Sequence, residues 1–309
     1  MANEKTTWEK LQAIDRRVLY TLLMVIATVS LFFKVNVPTK PGQPTKDLYR
    51  LLVDDEALPE GSTVILQSDW TQSTRGESAG QMEALLRILM RRNIKFALLS
   101  VADPQAPLVA RNVIRAINLE RKAKNQREYQ VWEDYVNLGY FPNAEGTSNA
   151  IAANFKTAVA GRKETPPGSA TPLDVFQSPV LSKVSKVEDV PVYINVTGSK
   201  TSNILIERLG GRVPFAALVT GVMGPETLNY YQSGQVKGVA IGLNGVAEME
   251  SLMEKGLVET GKPEVKSFAG ETNYGRGMAY YLALHTCLVL MIVAVVVGNV
   301  AMVAARKKK

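Results

Sequence analysis

Side chains that commonly act as nucleophiles, general bases or zinc ligands are scarce in this chain of 309 residues. It contains one histidine, His285, and one cysteine, Cys287. Both lie in a long apolar stretch near the C-terminus. The rest of the chain therefore has no Ser-His-Asp triad, no Cys-His pair and no thiolate or imidazole ligand for zinc. We expect neither a metal site nor a cofactor.

Carboxylates are the remaining groups that could supply an acid and a base. The acidic residues in question are Asp69, Asp103, Glu133, Asp134 and Glu248. None of them stands at a spacing diagnostic of a catalytic pair, and solvated carboxylates are common on protein surfaces. The sequence favours a protein that is not an enzyme and leaves a carboxylate-based enzyme as an alternative.

Polar and glycine-containing segments follow several apolar runs that read as strands. In an open parallel sheet, ligands bind beyond the carboxyl ends of the strands, close to helix N-termini. The candidate ligand-binding residues in these segments are Asp69, Ser73, Gly198, Ser199, Lys200, Thr201, Gly242, Asn244 and Gly245.

The segment from Gly198 to Thr201 is similar to the end of a phosphate-binding loop. It lacks the earlier glycine of that motif, and Ser199 stands where a glycine should precede the lysine. A turn at Gly198 followed by a helix cap at Ser199 or Thr201 is the favoured interpretation, and an anion contact is the alternative.

Strands and helices are predicted to alternate between two terminal apolar stretches. The predicted strands are Thr63–Ser68, Lys95–Val101, Tyr135–Leu138, Val192–Val196, Phe215–Val219 and Val236–Ile241. The predicted helices are Ser78–Arg92, Pro107–Lys124, 201–209, 225–233 and 245–256. Residues 142–190 read as a helix and a long excursion. Apolar strands separated by helices indicate an α/β fold with a mostly parallel sheet flanked by helices.

The terminal stretches, Val18–Phe33 and Ala279–Ala305, predict two membrane spans. The predicted organisation is an N-terminal cytoplasmic segment 1–17, transmembrane helix 18–35, linker 36–47, extracytoplasmic α/β domain 48–270, transmembrane helix 279–305 and basic tail 306–309. The first stretch is short, and a cleaved signal peptide is the rival interpretation.

The distribution of charge supports this topology. The net charge of +7 is concentrated at the flanks of the apolar stretches, because residues 35–305 carry 27 basic against 26 acidic residues. Basic flanks remain in the cytoplasm, so both termini are expected inside and the central domain outside an inner membrane. Because the predicted membrane topology accounts for the excess of basic residues, we do not expect nucleic acid as a partner.

Small residues form one stripe along the second apolar stretch. The predicted packing residues are Ala283, Cys287, Ala294, Gly298 and Ala301. Small side chains let transmembrane helices approach closely, so we expect this stripe to contact the first helix or a partner subunit. His285 and Asn299 lie off the stripe. They indicate an interhelical hydrogen bond, or a histidine close enough to the outer interface to be hydrated, with a proton or ion path as the alternative.

Three segments carry a resemblance to a group of bacterial membrane proteins. They are Asp134–Tyr140, Tyr231–Gly238 with the following Gly245–Glu248, and Gly298–Val300. Proteins of that group are similar in placing a large outer α/β domain between two terminal spans. The resemblance implies a bacterial source and an extracytoplasmic domain, and it implies no activity and no site residues.

The expected function is that of a non-catalytic subunit or scaffold of a bacterial membrane assembly. Its expected partners are the lipid bilayer and other membrane proteins or further copies of the chain. A membrane-tethered solute-binding or sensor domain with an unidentified small-molecule ligand is the alternative.

Overall fold

A computed structural model describes residues 8, 13–33, 40–259, 261, 263–265, 267–268 and 276–306. Most of the predicted cytoplasmic segment 1–17 (residues 1–7 and 9–12), the start of the predicted linker at 36–39 and the end of the basic tail at 307–309 lie outside the described residues. The chain forms two compact units, one of residues 38–277 and one of the terminal segments 1–37 and 278–309.

Six parallel strands form the sheet of the central unit. They are β1 (Thr63–Asp69), β2 (Lys95–Ser100), β3 (Tyr135–Tyr140), β6 (Tyr193–Thr197), β7 (Phe215–Val219) and β8 (Gly238–Ile241), and a separate antiparallel pair comprises β4 (Lys163–Glu164) and β5 (Leu173–Asp174). The order across the large sheet is β3-β2-β1-β6-β7-β8. All five pairings in it are parallel, which confirms the predicted fold class.

Two helices precede the first strand, and the others alternate with or follow the strands along the chain. They are α1 (Arg16–Ser30), α2 (Gln43–Val53), α3 (Arg75–Arg91), α4 (Ala106–Ala123), α5 (Ala144–Ala153), α6 (Phe155–Ala158), α7 (Thr201–Leu209), α8 (Gly224–Gln232), α9 (Gly242–Lys255) and α10 (Arg276–Arg306). Side chains of α2, α3, α4 and α9 join the core on one face of the sheet. Those of α5, α6, α7 and α8 pack on the other face.

Burial on both faces explains why the strands are apolar without alternation. Val64 and Leu66 belong to one core cluster, whereas Ile65, between them, belongs to the other. Because successive side chains point to opposite faces, both sets must be apolar when helices cover both sides. The strands predicted from continuous apolar runs are therefore present, with ends that differ by one or two residues.

Several helix starts differ from the prediction, and α3 begins at Arg75, three residues before the predicted Ser78. The helix α2 begins at Gln43, inside the stretch predicted as a linker, and has a proline in its first turn. Proline fits there because the first helical N–H groups have no intrahelical acceptor. The helix α9 begins at Gly242, three residues earlier than predicted, directly after β8. Residues 142–190 contain α5, α6 and the short β4–β5 pair, in keeping with the predicted helix and excursion.

The terminal unit contains α1 and α10. In α10, Tyr281–Arg306 is long and apolar enough to cross a membrane, and most of its side chains are exposed in the isolated chain. The 15 residues of α1 cover about 22 Å, less than the ~30 Å of a hydrocarbon core. The N-terminal span therefore stays a prediction. The hydroxyl oxygens of Ser30 and Thr286 lie 2.9 Å apart and share a hydrogen bond between the two helices.

Candidate functional site

The strand order reverses between β1 and β6, which makes their carboxyl ends the topological switch point of the sheet. From β1 the chain proceeds outward through β2 and β3, and from β6 it proceeds the other way through β7 and β8. The last residues of the two central strands, Asp69 and Thr197, are register partners. Ligands of doubly wound sheets bind in the crevice at this position, so it is the first place to look for a site.

Asp69 is a buried carboxylate at the centre of this edge. Its Oδ1 accepts hydrogen bonds from Ser100 Oγ at 2.9 Å and from the backbone N–H groups of Val101 at 2.9 Å and Ala102 at 3.2 Å. Its Oδ2 accepts from Gln67 Nε2 and, at 3.3 Å, from Asn195 Nδ2. Five donors on three chain segments therefore occupy both oxygens.

The electrostatic setting of Asp69 is that of an interior group. Burial raises the pKa of its carboxyl, and the hydrogen bonds from Gln67, Val101, Ser100 and Ala102 offset part of that effect. A raised pKa can indicate a catalytic acid, but such a group must reach a substrate. Asp69 is only 3% exposed. Its hydrogen bonds instead hold the segment after β2 and the strand β6 against the end of β1.

Further polar side chains extend this network into the sheet. The hydroxyl of Tyr193 donates to Gln67 Oε1 at 2.6 Å, and the Tyr193 ring stacks on Phe215. Gln67 and Asn195 are register partners on neighbouring strands and are fully buried. Neither residue is among those predicted from the sequence. The signal was present, because each is a single amide in an otherwise apolar strand.

Gly198 lies where the segments after β1, β6 and β7 meet. A Cβ at this position would lie 2.7 Å from Thr74 Cγ2 and 3.3 Å from Thr220 Cγ2. Glycine is therefore required by the close approach of two threonine methyl groups.

The residues after Gly198 form the turn that leads into α7. Ser199 Oγ accepts hydrogen bonds from Thr201 N at 3.3 Å and from Thr201 Oγ1 at 3.1 Å, and Ser199 N donates to Thr197 Oγ1 at 2.9 Å. The N-cap of α7 is Lys200, whose side chain makes no capping hydrogen bond, so Ser199 supports the first helical residue from the position before the cap. Lys200 is exposed beside it.

The remaining candidate residues are dispersed along the same edge. Ser73 is exposed and shares a hydrogen bond with Thr71, and Asn244 Nδ2 donates to Glu248 Oε1 at 2.7 Å, one turn further along α9. Gly242 has a φ of 56°. A Cβ at Gly245 would lie 2.8 Å from the carbonyl carbon of Ala240, so this glycine lets α9 pack directly against the end of β8.

Two side chains of α3 that the sequence analysis did not single out fasten the neighbouring loops. Glu77 Oε2 accepts from the Gly221 N–H at 2.6 Å. Gln81 Nε2 donates to the Val219 carbonyl at 2.7 Å, with the carbonyls of Ala240 and Gly242 at 3.4 Å. Glu77 and Gln81 lie one helical turn apart and face the ends of β7 and β8. The helix after β1 therefore also fixes the loops of the other half of the sheet.

The other carboxylates considered for acid–base chemistry do not gather around Asp69. Asp103 accepts from the Gln105 N–H, and Asp134 accepts from Arg127 and the Gln130 N–H before β3. Glu133 is exposed. In the parts of the chain that the structure describes, no group of three or more His, Cys, Asp or Glu side chains is arranged to hold a metal ion.

The small residues of α10 differ in how far they are covered. Ala301 is fully buried, and Ala283, Cys287 and Ala294 are partly buried. A Cβ at Gly298 would have no described atom within 4 Å. His285 Nδ1 lies 2.8 Å from the carbonyl oxygen of Tyr281 in the same helix, and the His285 ring stacks on the Tyr281 ring.

The fold and this edge together define a doubly wound parallel α/β domain of the kind that commonly hosts ligand sites. No protein-family model matches the chain, and no curated protein or solved structure matches it.

Proposed function

We propose that the protein is a non-catalytic, membrane-anchored subunit or scaffold of a bacterial membrane assembly, and that it presents its α/β domain outside the cytoplasm. The observation that carries the non-catalytic part is the hydrogen bonding of Asp69. Its carboxylate has five internal donors and almost no exposure. Such a group fixes loops and is not available to a substrate.

The anchoring part is supported by the terminal helices. Exposed apolar side chains surround α10 along Tyr281–Arg306, as lipid-facing side chains would. The Ser30–Thr286 hydrogen bond is the kind of polar contact that pairs helices in a bilayer. Two spans with both termini inside agree with the basic residues at their flanks.

The assembly part is tested by purification of the full chain in mild detergent with mass spectrometry of the proteins that accompany it. We expect either a fixed ratio of another membrane protein or a homo-oligomer. Gly298→Leu should reduce that association without reducing membrane insertion, because the bulk would block a close helix contact. Val296→Leu, on an exposed part of the same helix, is the matched control. A monomer with no companion, unchanged by Gly298→Leu, would refute the scaffold.

The topology is tested separately with a cysteine at Lys163, which is exposed in β4, in a chain whose Cys287 is replaced by alanine. A membrane-impermeant thiol reagent should label Lys163→Cys in intact spheroplasts. Labelling only after lysis would place the domain in the cytoplasm.

A further inference from the structure

A cavity of about 360 Å³ lies beside β3, apart from the switch point. Its lining comes from one face of α4, the segment that leads into β3, and β4. The lining residues are Arg111, Ile114, Arg115, Asn118, Leu119, Glu128, Val131, Tyr135 and Glu164. Its volume is that of a site for a small organic molecule.

The walls of this cavity are held by hydrogen bonds that do not use its interior. Asn118 pairs with the backbone of Tyr129, as donor to the carbonyl at 2.8 Å and as acceptor from the N–H at 2.9 Å. Arg127 donates to both oxygens of Asp134 at 2.8 and 2.9 Å. Between these anchors, Trp132 has a φ of 77°, a conformation that bulky residues rarely adopt. Tertiary hydrogen bonds thus hold the segment between Arg127 and Asp134 in a backbone conformation that Trp132 would not favour by itself.

Both carboxylates of the cavity have partners in the protein. Glu164 Oε2 accepts from Arg111 at 3.4 Å and from the Asn137 N–H at 3.3 Å, and Glu164 Oε1 accepts from the Thr165 N–H. Glu128 lies 3.7 Å from Lys122 Nζ. These carboxylates shape the wall and balance its charge.

Two donors of the cavity have no such partner. Among the described residues, no hydrogen bond or ion pair involves the Arg115 guanidinium or the Tyr135 hydroxyl. Arg115 is exposed at the mouth of the cavity, whereas Tyr135 is only 8% exposed. The Tyr135 ring stacks on Phe96, with centroids 5.4 Å apart, so its position is fixed. Burial raises the pKa of the Tyr135 hydroxyl, which therefore keeps its proton at neutral pH and can donate.

The unused groups and the charge of the wall define the ligand's chemistry. Donors without acceptors call for an anionic ligand group, and a guanidinium matches a carboxylate in a two-bond geometry. Two arginines and two glutamates line the cavity, so its wall is nearly neutral and favours one negative charge over two. Ile114, Leu119 and Val131 add apolar surface for an aliphatic body.

We propose that this cavity binds a small aliphatic monocarboxylate, with its carboxylate on Arg115 and the Tyr135 hydroxyl and its hydrocarbon part against Ile114, Leu119 and Val131. This site is independent of the scaffold function and of the switch point, and it would add a solute-responsive element to the domain.

The test is ligand-observed saturation-transfer NMR on the full chain in detergent, with 4-methylpentanoate as the probe. Its neutral amide and inorganic phosphate are the comparison ligands. Arg115→Gln should weaken probe binding about tenfold or more, because it removes a charge-assisted pair. Tyr135→Phe should weaken it several-fold. The matched controls are Arg208→Gln, an exposed arginine on α7, and Tyr140→Phe at the other end of β3.

The proposal is supported if the wild type binds the carboxylate and both control variants retain that binding. Binding should be lost in Arg115→Gln and reduced in Tyr135→Phe. No saturation transfer to the carboxylate at ~10 mM, a weak affinity on the usual scale, overturns it. Equal binding of the amide overturns the anionic requirement, and tighter binding of phosphate overturns the single charge. Equal losses in Arg208→Gln would show attraction to surface charge only and also refute the site.

Discussion

Polar side chains lie both at the carboxyl edge of the sheet and in the cavity beside β3. The two regions differ in whether these side chains have hydrogen-bond partners within the protein. At the edge, Asp69 accepts five internal hydrogen bonds. In the cavity, the Arg115 guanidinium and the Tyr135 hydroxyl have no partner among the described residues. Topology alone points to the edge as the binding place, whereas the availability of donors points to the cavity. The unpaired atoms at the edge, such as Asn195 Oδ1 and Gln81 Oε1, are buried, whereas the unpaired groups beside β3 line open space that a ligand could enter.

The difference between the edge and the cavity is tested most directly by replacing Asp69. Asp69→Ala would leave two backbone N–H groups and three side-chain donors without their acceptor, and all of these but the part-buried Ala102 N–H are buried. We expect the unfolding free energy to fall by about 3 kcal/mol or more. Thermal and urea unfolding of the full chain in detergent measures it, with Glu133→Ala, an exposed carboxylate, as the control. A loss within ~0.5 kcal/mol, as for a surface change, would mean that the edge does not depend on Asp69.

The close packing of the segments that follow β1 and β6 is tested at Gly198. Gly198→Ala places a Cβ 2.7 Å from Thr74 Cγ2 and should cost about 1–3 kcal/mol through overpacking. Thr74→Ser removes that methyl group and keeps the hydroxyl, so the double variant should recover most of the loss. The double-mutant cycle is measured by the same unfolding experiment. Additive effects would show that the two segments do not touch.

The raised pKa of Asp69 predicts a dependence of stability on pH. Its folded pKa lies above the ordinary 3.8, so the unfolded chain releases this proton first as pH rises. The Asp69 contribution to the unfolding free energy is thus full below about pH 4 and declines as pH rises through the folded pKa. Asp69→Asn should lack this decline. The difference between the two unfolding curves across pH isolates it, and a constant difference would contradict the burial of an ionisable group here.

The smallest expected effect lies in the cavity. Arg115→Gln and Tyr135→Phe should change the unfolding free energy by no more than ~0.5 kcal/mol, because neither polar group has a hydrogen-bond or ion-pair partner among the described residues. Stability losses near that of Asp69→Ala would show that these groups serve the fold and are not kept for a ligand. The same unfolding assay thus ranks the edge and the cavity on one scale.

The success of the strand predictions has a physical reason. Runs such as Phe215–Val219 are apolar at every position because helices cover both faces, and that pattern is visible in one sequence. The missed start of α2 at Gln43 has a reason as well. Its segment carries three prolines between residues 38 and 44, and proline reads as a linker signal although it also fits a first helical turn.

The candidate site was predictable only in part. Asp69 and Gly198 follow strands, so their place at the carboxyl edge could be deduced from the order of elements. Their roles could not, because these depend on contacts with Val101 and Thr74, on other segments. The cavity left no sequence signal at all, since Arg115 and Tyr135 are 20 positions apart on a helix and a strand.

The sequence by itself determined the α/β class, the long apolar C-terminal helix and the absence of histidine and cysteine chemistry outside it. These depend on composition and on short-range periodicity, which a single chain carries in full. Only the tertiary structure decided that internal donors enclose Asp69 at the switch point and that, among the described residues, two donors beside β3 have no protein partner. Whether a polar group is satisfied depends on neighbours distant in sequence, and folding alone brings those neighbours together.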